Sequence, residues 1–583
     1  MAVSRAVPME ATRRLAGLLV GRLLAGALLV GPLGLFLALP LFSVLVVSVV
    51  GREQPILLFL SRGQIGDLLV LWGRSATLEY WRGLLATDLY FLSLINSLKL
   101  GLAVSGTATV LGFLLAYGVT RTAMPGRRLV RALAVIPMIM PPFIGAYAFT
   151  LLLGDRGFVT RIAEVYGYHL PLDIFTPTGV WLVQVYVFTP FVFLTTAAVL
   201  DRSDPALEEA SESLGAPGLY TFCRVTLPLA TPGLAAGALL AFIGSLADFG
   251  TPVVLAPRRF PLLPVEAYRE LVSYNNWGMA ATLSAVMIVL AVMGVLAYQK
   301  VVAGARFETI TGRRRRTARL VQNRAVVLGL TLYAGLFLAV PLAVLAVIGL
   351  MAVTEVWGTE IFPSRYTLEH VQYALVTGPA ALRNSLVLSG LAIVITGVYG
   401  AILARLIHRR HLGASRWLDA LIMVPLAIPG TAVAIGLILT FNAGPITLVQ
   451  TPWLLLVSYC VRRLPYAVRA TLASLQQIER GLEESSLSLG ASPLFTLRWV
   501  IFPLVLPGIL AGAVLVLITT MESISDAILL YAPGWAPLSV EIYTRVLASE
   551  VYRAAAFAVV LIATAGLLRI VISRLTEHDA LNV

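Results

Sequence analysis

The sequence predicts an all-α polytopic membrane protein of about 12 transmembrane helices, built as two parallel-topology six-helix repeats. Three observations predict it. Of 583 residues, 58% are hydrophobic and only 13% are charged, whereas a soluble chain averages about 25% charged residues. Apolar runs near one bilayer crossing, about 20 residues, recur from end to end. The two halves also repeat each other in register. Long apolar runs, rather than alternating ten-residue ones, mean helices and not a barrel, because lipid-facing backbone must satisfy its hydrogen bonds within each segment.

In order, the crossings fall at 24–50, 91–120, 132–153, 178–200, 231–256 and 278–300, then 326–352, 384–407, 418–441, 452–475, 506–531 and 554–574. The first follows Arg13 and Arg14 and is longer than a signal-peptide core, so it reads as an uncleaved helix. Asn96-Ser97-Leu98 opens the second helix of one half and Asn384-Ser385-Leu386 that of the other, 288 positions later. Pro137 and Pro141 match Pro425 and Pro429 at the same offset, and Pro142 is matched by Gly430. From Leu207/Leu482 to Glu266/Glu541 the offset is 275, which places a 13-residue insertion in the first half. Six crossings per half make the copies parallel. The division is a first repeat over 1–302, a basic cytoplasmic linker over 303–324 and a second repeat over 325–583.

The net charge of +13 raises the question of nucleic acid. Its placement answers otherwise: Arg121, Arg127, Arg128 and Arg131, then Arg313 to Arg316 with Arg319, then Arg405, Arg409 and Arg410 crowd short segments between apolar runs. These are topology determinants that keep loops in the cytoplasm, and an even number of crossings puts both termini there too. A lipid-headgroup contact is a second reading of the Arg313 cluster. Cys223 and Cys460 lie far apart and suggest neither a disulfide framework nor a cysteine metal site.

The informative segment lies between the fourth and fifth helices of each half. It reads Leu207-Glu208-Glu209-Ala210-Ser211-Glu212-Ser213-Leu214-Gly215-Ala216, then Leu227-Pro228. The second copy reads Leu482-Glu483-Glu484-Ser485-Ser486-Leu487-Ser488-Leu489-Gly490-Ala491, then Phe502-Pro503. Asp204-Pro205 starts a helix, on which Leu207, Ala210 and Leu214 share a face, as do Leu482, Ser485 and Leu489. The acids favour the helix N-terminus, and the glycines permit a positive-φ stop. Such a helix suits insertion into a partner's groove. A single copy reads equally as an unpartnered interfacial helix; the duplication favours the docking element.

This segment resembles the EAA loop of binding-protein-dependent ABC importer permeases: E-A-A, three residues, G, then I-x-L-P. Glu209-Ala210 and Glu484-Ser485 fill its opening, with Ser211, Ser485 and Ser486 as small substitutes for alanine, Gly215 and Gly490 fill its glycine, and Leu227-Pro228 its end, with Phe502 in place of leucine. The resemblance implies the type I importer fold, a bacterial cytoplasmic (inner) membrane setting, a solute-binding protein, and loops that couple to two copies of an ATPase subunit. ATP and magnesium then belong to that partner, and this chain is a transport subunit rather than an enzyme. A P-loop needs G-x-x-x-x-G-K-[ST], and the only lysines, Lys99 and Lys300, follow no glycine.

Ala247-Asp248-Phe249-Gly250-Thr251-Pro252 and Glu522-Ser523-Ile524-Ser525-Asp526-Ala527 resemble segments of ferric-iron importer permeases, with Ser525 and Asp526 departing from the pattern. The resemblance implies ferric iron as solute; thiamine, phosphonate or polyamine permeases share much of it. Asp248, Glu522 and Asp526 fall in apolar segments, where a charge costs a few kcal/mol. They line a translocation path or tie helices together. Pro137, Pro141, Pro142, Pro425 and Pro429 should kink the third helices, as gates or as packing. The five histidines, His169, His370, His408, His411 and His578, form no ligand spacing, so no metal site and no catalytic set is expected. An ion-driven secondary transporter fits two six-helix halves but leaves the paired loops unexplained.

Overall fold

The computed structural model describes residues 30–51, 56–140, 142–155, 157–168, 173–304, 320–357, 360, 362–409 and 415–580. Among these, helix dominates and the only β pairing is two isolated bridges, Thr122 with Val321 and Thr354 with Tyr366. The Arg313 cluster, His169, His411 and most of the expected linker lie outside the described residues.

The first half contains α1 (Leu39–Val50), α2 (Asp88–Arg121), α3 (Arg127–Leu133), α4 (Pro142–Leu153), α5 (Pro177–Arg202) and α6 (Ala206–Ser213). It continues with α7 (Leu227–Ala247), α8 (Leu263–Val272) and α9 (Trp277–Gly304). The second half contains α10 (Arg324–Ala352), α11 (Pro379–Arg409), α12 (Ser415–Ala427), α13 (Gly430–Phe441), α14 (Pro452–Leu475) and α15 (Arg480–Ser488). It ends with α16 (Phe502–Met521), α17 (Leu538–Leu547) and α18 (Val551–Ala580).

Each half is organised on three mutually packed helices: α2, α5 and α7 in one, α11, α14 and α16 in the other. Small residues let these helices approach. A Cβ on Gly112 would lie 2.7 Å from Val192 Cβ, and one on Gly400 would lie 2.9 Å from Ala467 Cβ. The first helix of each half crosses to the other: α1 packs on α13, and α10 packs on α4. The halves therefore share one continuous core, which includes Phe143, Phe249, Phe441, Tyr459 and Phe557.

The repeated Asn-Ser pairs now have a role. Ser97 Oγ accepts from Leu263 N at 3.0 Å and Ser385 Oγ from Leu538 N at 2.8 Å, at the starts of α8 and α17. Asn96 donates to Pro261 O and Asn384 to Ala536 O, both at 3.2 Å. The serines satisfy N–H groups that the first turn of a buried helix leaves open, and the asparagines hold carbonyls of the segment just before it.

Among the described residues nine helices are long and apolar enough to span a membrane. The expected spans at 132–153 and 418–441 are instead bent pairs, with angles of 100° and 110°. The expected crossing at 452–475 forms as α14, which carries Arg462, Arg463 and Arg469, too much charge for a lipid-facing helix, but lies packed between α11 and α16.

Candidate functional site: matched loop helices and a broken-helix interior

The helix α6 starts at Pro205, with Asp204 Oδ1 accepting from Ala206 N at 2.9 Å. It ends in a glycine stop: Gly215 N donates to Glu212 O at 2.9 Å and Ala216 N to Ser211 O at 3.2 Å. In α15 the same stop is made by Gly490 N to Leu487 O at 3.0 Å and Ala491 N to Ser486 O at 3.2 Å. Gly215 and Gly490 have φ of +87° and +88°, in the left-handed region that other residues resist. No heavy atom would meet a Cβ at either, so the constraint is backbone conformation and not space.

Two anchors hold each helix. Glu208 pairs with the buried Arg121 at 3.0 Å and accepts from Thr226 Oγ1 at 2.8 Å. Glu483 pairs with Arg405 at 3.0 Å. The hydroxyls of Ser211 and Thr221 lie 2.9 Å apart, and those of Ser486 and Thr496 lie 2.8 Å apart. Sequence reading treated these serines as substitutes for alanine and Arg121 and Arg405 as topology signals. The structure makes all four into fasteners, and a Thr ten residues after each serine was the available signal.

With their polar faces fastened, both helices turn apolar side chains outward. Leu214 and Leu489 are each 89% exposed. Leu207 and Leu482, Leu219 and Leu494, and Tyr220 and Phe495 are exposed in the same pairs. Ala210, Glu209, Glu484 and Ser485 lie on these short helices, the first and last two exposed. Pro228 and Pro503 sit in the first turns of α7 and α16, each after a single π-helical turn, Phe222–Thr226 and Leu497–Ile501.

The interior acids do not repeat. Asp248, at the end of α7, accepts from Gln184 Nε2 at 3.0 Å and from Thr251 N at 3.2 Å, and Ser245 Oγ donates to Gln184 Oε1 at 2.5 Å. Asp526 is fully buried between arginines: Arg463 Nη1 stands 3.2 Å from Oδ2 and Arg462 Nη1 stands 3.4 Å from Oδ1. It also accepts from Ser458 Oγ at 2.8 Å and from Ser523 Oγ. Arg463 further donates to Thr519 O at 2.8 Å and lies over the Tyr459 ring. Asp248 and Asp526 are thus tied to neighbouring helices, whereas Glu522 Oε1 is buried with no hydrogen-bond partner. Arg462 and Arg463 went unremarked in the sequence, although two arginines in an apolar run needed a buried partner.

The prolines break the third helices and do not kink them. Pro137 lies in the short helix Ile136–Ile139, and Pro142 begins α4; Pro141 lies outside the described residues. Pro425 sits near the end of α12, and Pro429 caps α13 with ψ of 140°. A proline disfavours helix in the residue before it, and the breaks fall there: at Met140, with ψ of 128°, before Pro141, and at Ile428 before Pro429. The first break lies against the other half: a Cβ on Gly250 would lie 3.1 Å from Phe143 Cβ and 3.4 Å from Ile524 Cγ2 of the second half. Among the described residues no group of three or more His, Cys, Asp and Glu converges as a metal site; His370 stacks on Tyr552.

Comparison with known proteins matches this chain twice to one family, described as a binding-protein-dependent transport system inner membrane component, over residues 108–306 and 396–578. The ferric transport system permease protein FbpB of Actinobacillus pleuropneumoniae is 29% identical over 80% of this chain and 68% of its own length. The putative ferric transport system permease protein FbpB 1 of Haemophilus influenzae is 29% identical over 76% of this chain and 71% of its own. A putative 2-aminoethylphosphonate transport system permease protein, PhnV of Salmonella paratyphi A, is 30% identical over 40% of this chain and 88% of its own.

Proposed function

The chain belongs to the family of binding-protein-dependent transport system inner membrane components, and we propose that it passes ferric iron across that membrane for an ATP-driven importer. The observation that carries the reading is the duplicated outward-facing helix, with Leu214 and Leu489 equally exposed and Gly215 and Gly490 in the same backbone conformation. Two matched apolar knobs at the ends of two matched repeats suit two copies of one partner. That partner is a separate ATPase subunit, which holds ATP and magnesium; a solute-binding protein delivers cargo on the opposite side. Both termini and the basic linker over 303–324 then lie in the cytoplasm, between repeats 1–302 and 325–583.

The motion follows from the fastening. ATPase closure draws α6 and α15 together, and the Arg121–Glu208 and Arg405–Glu483 pairs pass that displacement to α2 and α11. Those helices pack on α5 and α7, and on α14 and α16, which carry the interior clusters around Asp248 and around Asp526 with Glu522. The broken helices at Pro137–Pro142 and Pro425–Pro429 are the gate elements, since a break already made needs little further bending to open.

Ferric iron as cargo rests on the two-unit relatives named for ferric transport. An organophosphonate is the second reading, favoured by the relative named for 2-aminoethylphosphonate. The test is uptake of labelled ferric iron into proteoliposomes that hold this chain, its ATPase and its binding protein, with thiamine, a phosphonate and a polyamine as competitors. ATP-dependent iron uptake indifferent to the competitors supports the reading. Uptake of a competitor in place of iron discards the cargo, and uptake without ATP discards the importer.

A further inference from the structure

We infer that the second half holds a subsite for a small oxyanion at the break between α12 and α13, an inference that rests on the import reading above and gives its pathway a chemistry. The helix α13 begins inside the protein, and all twelve of its residues are buried. Its first-turn N–H groups have no acceptor within the helix, and its dipole places positive partial charge there. A helix end alone is no site, but here side chains point to one.

Thr431 is fully buried, and its Oγ1 has no hydrogen-bond partner. Helix threonines elsewhere in this chain donate to the carbonyl four residues back, as Thr120, Thr189 and Thr440 do. For Thr431 that residue is Ala427, which lies across the 110° bend. A first-turn side chain leans toward the helix N-terminus, so the free hydroxyl is directed at the break.

Arg462 stands at the same helix end. A Cβ on Gly430 would lie 2.7 Å from Arg462 Nη1 and would also meet Ser525 Oγ. Only glycine leaves the guanidinium and that hydroxyl beside the helix end. Arg462 is poorly satisfied: its Nη1 reaches Ser523 and Ser525 only at 3.5 and 3.4 Å, and its Nε is buried without a partner. Its ionic partner Asp526, at 3.4 Å, is shared with Arg463, Ser458 and Ser523. Glu522 stands on the same segment with one oxygen unpaired.

Buried donors without acceptors are costly. An oxyanion offers several acceptors at once to a guanidinium, hydroxyls and backbone N–H groups, and broken membrane helices bind anionic groups in this way. At the matched positions the first half has Pro142, Phe143, Val187 and Gly250, which supply no side-chain donor. The subsite is therefore one-sided.

The test is calorimetric titration of inorganic phosphate, and separately of methylphosphonate, into the full-length chain in nanodiscs. Saturable binding is expected, weakened about tenfold in both R462Q and T431V and strengthened in E522Q. T431V should melt no lower than the parent, because it removes a hydroxyl with no partner. Equal affinity for the two probes marks an oxyanion group borne on a larger solute; preference for phosphate marks a free anion. No saturable binding of either probe, or binding unchanged in both R462Q and T431V, overturns the subsite. Iron uptake by a chain that binds neither anion would sink the subsite alone, and anion binding without iron uptake would sink the cargo alone.

Discussion

The outer loop helices and the inner acid clusters occupy matched positions of one repeat, yet they differ in opposite ways. Outside, the copies agree to within a degree in the glycine φ, a tenth of an ångström in the serine–threonine contact and nothing in the exposure of Leu214 and Leu489. Inside, one copy ties its acid with a neutral glutamine and the other with two arginines. Surfaces that meet two copies of one partner must stay alike. An interior that meets a single solute along a shared path is under no such constraint.

The contrast can be broken by substitution. The largest effect is expected at Asp526, because D526N leaves two guanidiniums buried without a carboxylate between them. Loss of one member of a buried ion pair costs about 3–5 kcal/mol. In a detergent melt D526N should unfold far earlier than D248N, which keeps its Gln184 contact and loses about 1 kcal/mol. Equal losses would mean that the two interiors are not different in kind.

Next in size is the double replacement of Gly215 and Gly490 by leucine. Each left-handed position costs a side chain about 1–2 kcal/mol, enough to shift the turn that presents Leu214 and Leu489. Co-purification of the ATPase should be lost while the transmembrane fold survives; normal co-purification would undo the docking assignment. A smaller, unequal pair is E208Q and E483Q. Glu208 also accepts from Thr226, where the second copy has Ile501, and its partner Arg121 is 5% exposed against 22% for Arg405. E208Q leaves the more deeply buried guanidinium behind and should speed hydrogen exchange in α6 more than E483Q does in α15. Smallest, S211A and S486A should each cost about 1 kcal/mol of local stability, and by the same amount, because their contacts are copies.

Much of this is legible in the sequence. A repeat written in Asn-Ser pairs, prolines and glycines survives translation into structure, because each of those residues does one backbone job: Asn96 and Ser97 cap α8, Gly215 ends α6, and Pro429 starts α13. Long-range pairing was not legible. Nothing local to Arg463 tells that Asp526, sixty-three residues later, is its partner, and nothing local to Glu208 points to Arg121. The proline pairs gave the place of a bend but not its size, since spacing alone does not separate a kink from a break. Ser211 looked like a tolerated alanine until Thr221 came within hydrogen-bond reach.

The most direct test of the central claim is the mass of the complex that this chain forms with its ATPase, measured by native mass spectrometry. One chain with two ATPase subunits is the predicted species. Leu214→Asp and Leu489→Asp should each remove one subunit, and the double variant should remove both. A parent complex with a single ATPase, or a double variant that still carries two, would contradict the account.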